Sequence, residues 1–119
     1  MTTIELLAAY ATAMTDGDGA ATAALFCEDG TCEDLAYKAF SGRESKHVGR
    51  DNIYEFFKNN KKGNQWACVY WIKDNKMCYD VKFKMPNGNV GTIPCLGVAE
   101  VENGLMKYYT INPREADEI

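Results

Sequence analysis

Apolar residues recur at helical spacing in the first half of the chain and at every second position in the second, and the period changes near Gln65. Thr2 followed by Glu5 is a capping-box pattern, and Ile4, Leu7, Ala11 and Met14 then mark one face of a helix over Thr3 to Thr15. Asp18 caps a second, alanine-rich helix through about Phe26. Gly49 or Asp51 opens a third, with Ile53, Phe56 and Phe57 on its buried side and Gly63 beyond its end. After Gln65, Tyr79, Val81, Phe83 and Met85 share one face of a strand while Asp80, Lys82 and Lys84 share the other, which predicts a half-buried strand with those three charges in solvent. Pro86-Asn87-Gly88-Asn89 and Glu102-Asn103-Gly104 are hairpin turns. The segments near 65–73, 77–85, 90–101 and 105–111 therefore predict an antiparallel meander. With one short strand near 31–37 and three helices before the meander, the expected fold class is α+β. The charged tail from Arg114 to Ile119 is expected to fray.

Composition narrows the function. A chain of 119 residues is expected to form one domain over 1–119, large enough for a core and one internal pocket. Its net charge of −4, with Lys58, Lys61 and Lys62 as the only basic cluster, disfavours nucleic acid as a partner. No continuous apolar stretch reaches membrane length, and the start lacks the basic and apolar regions of a secretion signal, so no membrane partner and a cytoplasmic location are expected. Cys27, Cys32, Cys68, Cys78 and Cys95 are odd in number and form no Cys-x-x-Cys pair, with His47 the only imidazole. That argues against a disulfide framework and against a zinc site; the cysteines read as small apolar filler, and no metal or other cofactor is expected.

The ordered set Tyr10, Gly17-Asp18, Phe26, Glu28-Asp29-Gly30-Thr31 and Glu33-Asp34, followed by Gly49-Arg50-Asp51-Asn52-Ile53 with Phe56-Phe57, resembles SnoaL-like and ketosteroid-isomerase-like members of the nuclear transport factor 2 (NTF2-like) superfamily. The resemblance covers the first half of the chain; the second half agrees with it only as a strand-rich pattern. It implies an NTF2-like, cystatin-like cone in which three helices pack on a strongly curved, mainly antiparallel sheet around an apolar interior. In steroid isomerases of that group a tyrosine of the first helix donates to the substrate oxyanion and an aspartate of the first strand moves the proton. Tyr10 and Asp34 stand at those positions.

Asp34 follows an acidic turn and precedes Leu35-Ala36-Tyr37, so its carboxylate either points into an apolar cavity, where burial raises its pKa toward a useful base, or faces solvent on an edge strand. Glu33 falls on the opposite face and reads as solvated. Tyr10 is either an oxyanion donor or an amphipathic core phenol. His47 lies in an inserted polar stretch around residues 41–47; it is a candidate acid or base near the pocket mouth, or an exposed loop histidine. Arg50 resembles part of the Asp-Arg-Asp set of limonene epoxide hydrolases, but no second aspartate accompanies it, and it reads as a surface residue at a helix start. Phe26, Phe56, Phe57 and Phe83 are expected to line the pocket, together with Trp66, Tyr70 and Leu96. Alternation puts Trp66, Cys68 and Tyr70 on one sheet face and Val69 with Trp71 on the other, so one face can line the pocket while the other packs a second subunit of a homodimer.

The sequence also departs from the isomerase pattern. Pro94-Cys95-Leu96-Gly97-Val98 contains no acid where steroid isomerases place a second one, and Phe26 and Phe57 replace two supporting tyrosines. The expected function is a small SnoaL-like, cofactor-independent isomerase or cyclase acting by proton transfer on a small apolar carbonyl compound of steroid, terpenoid or polyketide type. A non-catalytic ligand-binding or dimerisation module is the competing reading.

Overall fold

The computed structural model describes all residues from Met1 to Ile119. In chain order they form α1 (Thr3–Thr15), α2 (Gly19–Ala23), β1 (Phe26–Asp34), α3 (Leu35–Ser41), β2 (Lys46–Val48), α4 (Arg50–Phe57), β3 (Gln65–Lys73), β4 (Lys76–Lys84), β5 (Val90–Glu102) and β6 (Leu105–Pro113). The strands form one sheet in the order β2-β1-β6-β5-β4-β3. The last four strands are the expected meander, each antiparallel to its neighbour, whereas β1 pairs in parallel with β6. The architecture is α+β, as expected. No helix is long and apolar enough to cross a membrane.

The first half of the chain differs from expectation in three places. Helix α2 stops at Ala23, and Phe26 already belongs to β1. The strand expected over 31–37 ends at Asp34, and the stretch expected to be a loop forms helix α3 and the short strand β2, so four helices rather than three precede the meander. Local chemistry explains the extra helix. The Asp34 side chain accepts a hydrogen bond from the Tyr37 N–H at 2.8 Å as N-cap, and Gly42, at φ 75°, ends the helix in the left-handed conformation.

Leu6, Leu7, Tyr10 and Met14 of α1 pack with Phe26, Ile53, Met77, Tyr79 and Tyr109 in one continuous core on the inner face of the sheet. Register assigns the faces. Tyr79 pairs with Cys95 and Val81 with Ile93 on the inner side, while Cys78 pairs with Leu96 and Asp80 with Pro94 on the outer side. A bulge between Val69 and Trp71 adds one residue to β3, so that Trp71 pairs with Cys78 and shares the outer face with Cys68, not the inner face with Val69 as strict alternation predicts.

Asp80 is on the outer face, yet it is buried rather than solvated. It is paired with Arg114 and accepts the Tyr70 hydroxyl at 2.6 Å. The Arg114 guanidinium also donates to the carbonyls of Cys95 (3.2 Å) and Tyr79 (3.1 Å) and lies 5.3 Å from the Tyr70 ring centroid. The start of the C-terminal tail is thereby fixed across β4 and β5 instead of fraying. Breaking a buried pair leaves one charge without compensation, so Asp80→Ala is expected to lower stability by about 3–5 kcal/mol in urea unfolding. Asp29→Ala removes only the exposed pair with Lys107, which solvent screens, and should change stability far less. Equal effects of the two substitutions would refute the anchoring role of Asp80.

Candidate functional site

Between the helices and the inner face of the sheet lies a cavity of about 280 Å³. Helix α1 contributes Tyr10 and Met14, one helical turn apart; α3 contributes Tyr37 and Phe40; α4 contributes Phe56 and Phe57; and the sheet supplies Val81, Phe83, Ile93 and Ile111. Asp34 is the only charged side chain in the lining. The parallel register of β1 on β6 sets Asp34 beside Ile111 and aims it inward, as Cys32 two residues earlier is aimed into the core.

Three effects act on Asp34. Burial, the largest, pushes its carboxyl above the ordinary 3.8, and the backbone N–H groups of Tyr37 and Ala36 pull the other way. The Tyr37 bond occupies Oδ1. The main chain is fixed by a hydrogen bond from the Asp34 N–H to the Ser45 carbonyl at 2.7 Å. A carboxylate held in this way, beside an apolar space, is disposed to take up a proton.

Tyr10 is only 2% exposed and its ring packs against Tyr109 at 4.7 Å and Phe57 at 6.0 Å. Its hydroxyl makes no hydrogen bond within the chain, yet no fully buried side-chain oxygen lacks a partner, so the hydroxyl reaches the cavity. Burial holds the phenol well above its ordinary pKa. It is therefore a neutral donor across the whole working range. Behind it, Tyr79 and Tyr109 share a buried hydrogen bond of 3.1 Å between their hydroxyls. A Cβ at Gly97 would fall 2.3 Å from the Tyr109 hydroxyl, so this position must lack a side chain for the pair to fit.

His47 does not line the cavity. Its ring stacks on Phe56 at 4.0 Å and its Nε2 lies 3.2 Å from the Ser45 hydroxyl, with Phe56 between it and the pocket. Burial lowers its pKa, which keeps it neutral at pH 7. Of the expected pocket residues, Phe56, Phe57 and Phe83 lie in the lining of this cavity, whereas Phe26, Trp66, Tyr70 and Leu96 do not. Phe26 is fully buried in the core beneath the cavity. Trp66 pairs with Lys82 and Leu96 with Cys78 on the outer face, where Tyr70 also lies, bonded to Asp80. Arg50 is not a free surface residue either: its guanidinium donates twice to the Phe26 carbonyl, at 2.7 and 3.0 Å, and ties α4 to the start of β1. Glu33, on the outer side as expected, accepts the Tyr108 hydroxyl at 3.0 Å.

The lining also includes residues not expected from the sequence, among them Tyr37, Phe40, Asn60, Gln65 and Cys95. The first two became visible only with α3, whose signals are the Asp34 cap and the Gly42 stop. Phe40 is 57% exposed and meets Phe83 edge-on at 5.5 Å, closing part of the mouth. Phe83 in turn lies across Gly91, where a Cβ would fall 2.3 Å from the ring. The Cys95 thiol donates to the Ile93 carbonyl at 3.2 Å and is pushed up to about 12 by burial. No group of three or more His, Cys, Asp or Glu side chains is placed to share a metal ion.

No protein-family model and no curated protein matches the chain significantly. Solved structures do. A protein with a ketosteroid isomerase-like fold from Catenulispora acidiphila, in complex with trimethylamine, is 15% identical over 90% of this chain and 83% of that one, with a TM-score of 0.72. An NTF2-like protein of unknown function from Burkholderia pseudomallei is 12% identical over 96% and 92%, also at 0.72. TerC, co-crystallised with polyporic acid, is 13% identical over 94% and 91%, at 0.73. At these identities the likeness is one of fold, and the chain has the NTF2-like, cystatin-like fold.

The raised pKa of Asp34 has a consequence for stability. A carboxyl whose folded pKa lies above its unfolded one favours the folded state below the unfolded value and loses that contribution as pH rises through the folded value. Asn caps a helix as well as Asp does. Asp34→Asn is therefore expected to melt at a higher temperature than the wild type at pH 7, with the advantage disappearing below about pH 3.8. A lower melting temperature at pH 7 would show that the ionised carboxylate is stabilised, not strained, where it stands.

Proposed function

We propose that the protein is a SnoaL-like, cofactor-independent isomerase or cyclase of the cytoplasm, acting on a small apolar carbonyl compound. The observation that carries the reading is the carboxylate of Asp34 and the phenol of Tyr10, whose hydroxyl has no partner in the chain, in the lining of the same largely apolar cavity. In this scheme the Asp34 carboxylate takes a proton from carbon next to the carbonyl. The C–H electron pair becomes the enolate π bond and the carbonyl π pair moves to oxygen, where the Tyr10 hydroxyl donates to it. Where the substrate carries a β,γ double bond, the Asp34 acid returns the proton to the γ-carbon of the dienolate while the oxygen pair re-forms the carbonyl and the double bond moves to the α,β position, so no metal or redox partner is consumed. Burial favours both steps, since a base above the ordinary aspartate range is better matched to a carbon acid, and one donor aimed at developing charge in a dry site is worth about 3 kcal/mol. The co-crystal of TerC with polyporic acid supports the use of this fold to hold an organic ligand.

The competing reading is a binding module of the same fold without chemistry. It draws on the absence of an acid in residues 94–98, where the wall offers only the neutral Cys95 thiol. Isotope exchange at the α-carbon of cyclic ketones separates the two. Under the enzymatic reading Asp34→Asn slows exchange by roughly 10²- to 10⁴-fold with folding retained, and Tyr10→Phe slows it about 10- to 1000-fold. Wild-type exchange no faster than that of Asp34→Asn leaves only the binding module.

The same proposal includes a homodimer through the outer sheet face, where Tyr70 is 46% and Trp71 37% exposed beside the half-buried Leu96 and Val98. Sedimentation at micromolar concentration should give twice the mass of one chain, 13.3 kDa. A monomer throughout that range would mean that these side chains serve the packing of the single chain alone.

A further inference from the structure

The cavity has polar groups at both ends and an apolar middle. Register orders its wall into rungs: Cys95 faces Tyr79 at one end, Ile93 faces Val81 in the middle, and Gly91 faces Phe83 at the other, where Gln65 completes the rung. Four residues of strand separate the two ends, about 13 Å at ~3.3 Å per residue. Asp34 and Tyr10 belong to the end with Cys95 and Ile111. Asn60 and Gln65 belong to the lining with Phe83, and their side-chain amides bond to no group of the chain while remaining accessible. Both are neutral and each carries donors and an acceptor. Between the ends Met14, Phe57, Val81 and Ile93 offer no polar atom to a ligand. The space is also small. A cavity of about 150 Å³ holds one benzene ring, so 280 Å³ accommodates two fused rings and not four.

We propose that the ligand is a compact bicyclic carbonyl compound with a second polar group, a hydroxyl or carbonyl, at the far end of the ring system, read by Gln65 and Asn60. The carbonyl is placed at Asp34 and Tyr10, the rings fill the apolar middle between Phe57 and Ile93, and the second group meets the two amides beneath the Phe40–Phe83 contact. This assignment rests on the proton-transfer reading for the orientation of the ligand, but its size and its two-ended polarity follow from the cavity alone. A tetracyclic steroid exceeds the enclosed volume and would have to extend out through the mouth, and bicyclic compounds without the second group leave the amides unmatched.

The test is direct binding of 6-hydroxy-2-tetralone, 2-tetralone and a 3-keto steroid, measured by calorimetry on the whole chain, together with α-carbon exchange on both tetralones. The hydroxylated tetralone should bind about 3- to 10-fold tighter than 2-tetralone, as one or two neutral hydrogen bonds allow, and the steroid should bind weakest. In the Asn60→Leu/Gln65→Leu variant that preference should fall to parity, and a cooperative thermal unfolding transition reports that the variant is still folded. Equal affinity of the two tetralones for the wild type, a preference that survives in the double variant, or a steroid bound as tightly as a tetralone overturns the inference. Exchange reports separately on the proposed chemistry. Preference for the hydroxylated ligand with no exchange upholds the two-ended site and removes the base; exchange without preference does the reverse.

Discussion

The parallel pairing of β1 with β6 is the constraint on which the site depends, because it is the one strand pairing that joins the helical half of the chain to the meander. The meander by itself is a succession of hairpins, each fixed by a short turn. Strand β1 must instead find its register across more than seventy residues of sequence, and it does so with Cys32 beside Tyr109 and Asp34 beside Ile111. A slip of one residue would turn Asp34 to the outer face and put Glu33 in the cavity. The buried Phe26 and Cys32 on the inner side, and the Glu33 bond to Tyr108 on the outer side, both oppose that slip.

Asp34 then has two duties that pull against each other. As N-cap it holds the first turn of α3, and through α3 it positions Tyr37 and Phe40 over the cavity. As the only charged group of the lining it is partly desolvated, which opposes its ionisation. The Asp34 carboxylate accepts the cap hydrogen bond from the Tyr37 N–H, so the fold keeps it in place by a local interaction while exposing it to an apolar space. Taking up a proton would weaken the cap, because a neutral carboxyl is a poorer acceptor than a carboxylate. Proton uptake and the hold on the mouth helix are thereby linked at a single side chain.

The parts of this arrangement that were legible in the sequence are those set by local chemistry or strict periodicity. The capping box at Thr2 and Glu5 fixed α1, and the turns at Asn87-Gly88 and Asn103-Gly104 fixed the meander. Tyr10 and Asp34 were singled out by resemblance, and the cavity brings both into its lining. What was not legible depended on non-local geometry. The bulge at Tyr70 moved Trp71 to the outer face, although nothing in the alternation of residues 65–73 announces an extra residue. Asp80 reads as solvated by period two and is buried because Arg114, thirty-four residues later, returns to cover it. Helix α3 is a different case, for Asp34 and Gly42 are its ordinary start and stop signals; they were masked by the apolar Leu35-Ala36, which extends a strand pattern equally well.

The two faces of the sheet divide the work. Toward the cavity, Tyr10, Asn60 and Gln65 offer side-chain groups with no partner in the chain, whereas on the outer face Asp80, Arg114 and Tyr70 satisfy one another. An unpaired donor in a cavity is a liability in a core and an asset in a binding site, since a ligand can complete it. The outer cluster makes the opposite bargain: its charges are matched inside the chain, and it fixes the carbonyls of Tyr79 and Cys95, the residues whose side chains face inward beside Tyr109 and the cavity. Arg114 thus restrains, from the outer side, the two strands that carry the inner wall. A rigid wall is what so small a set of polar groups requires, because much of the orientation of a ligand must then come from shape, and shape is only as definite as the strands that hold it.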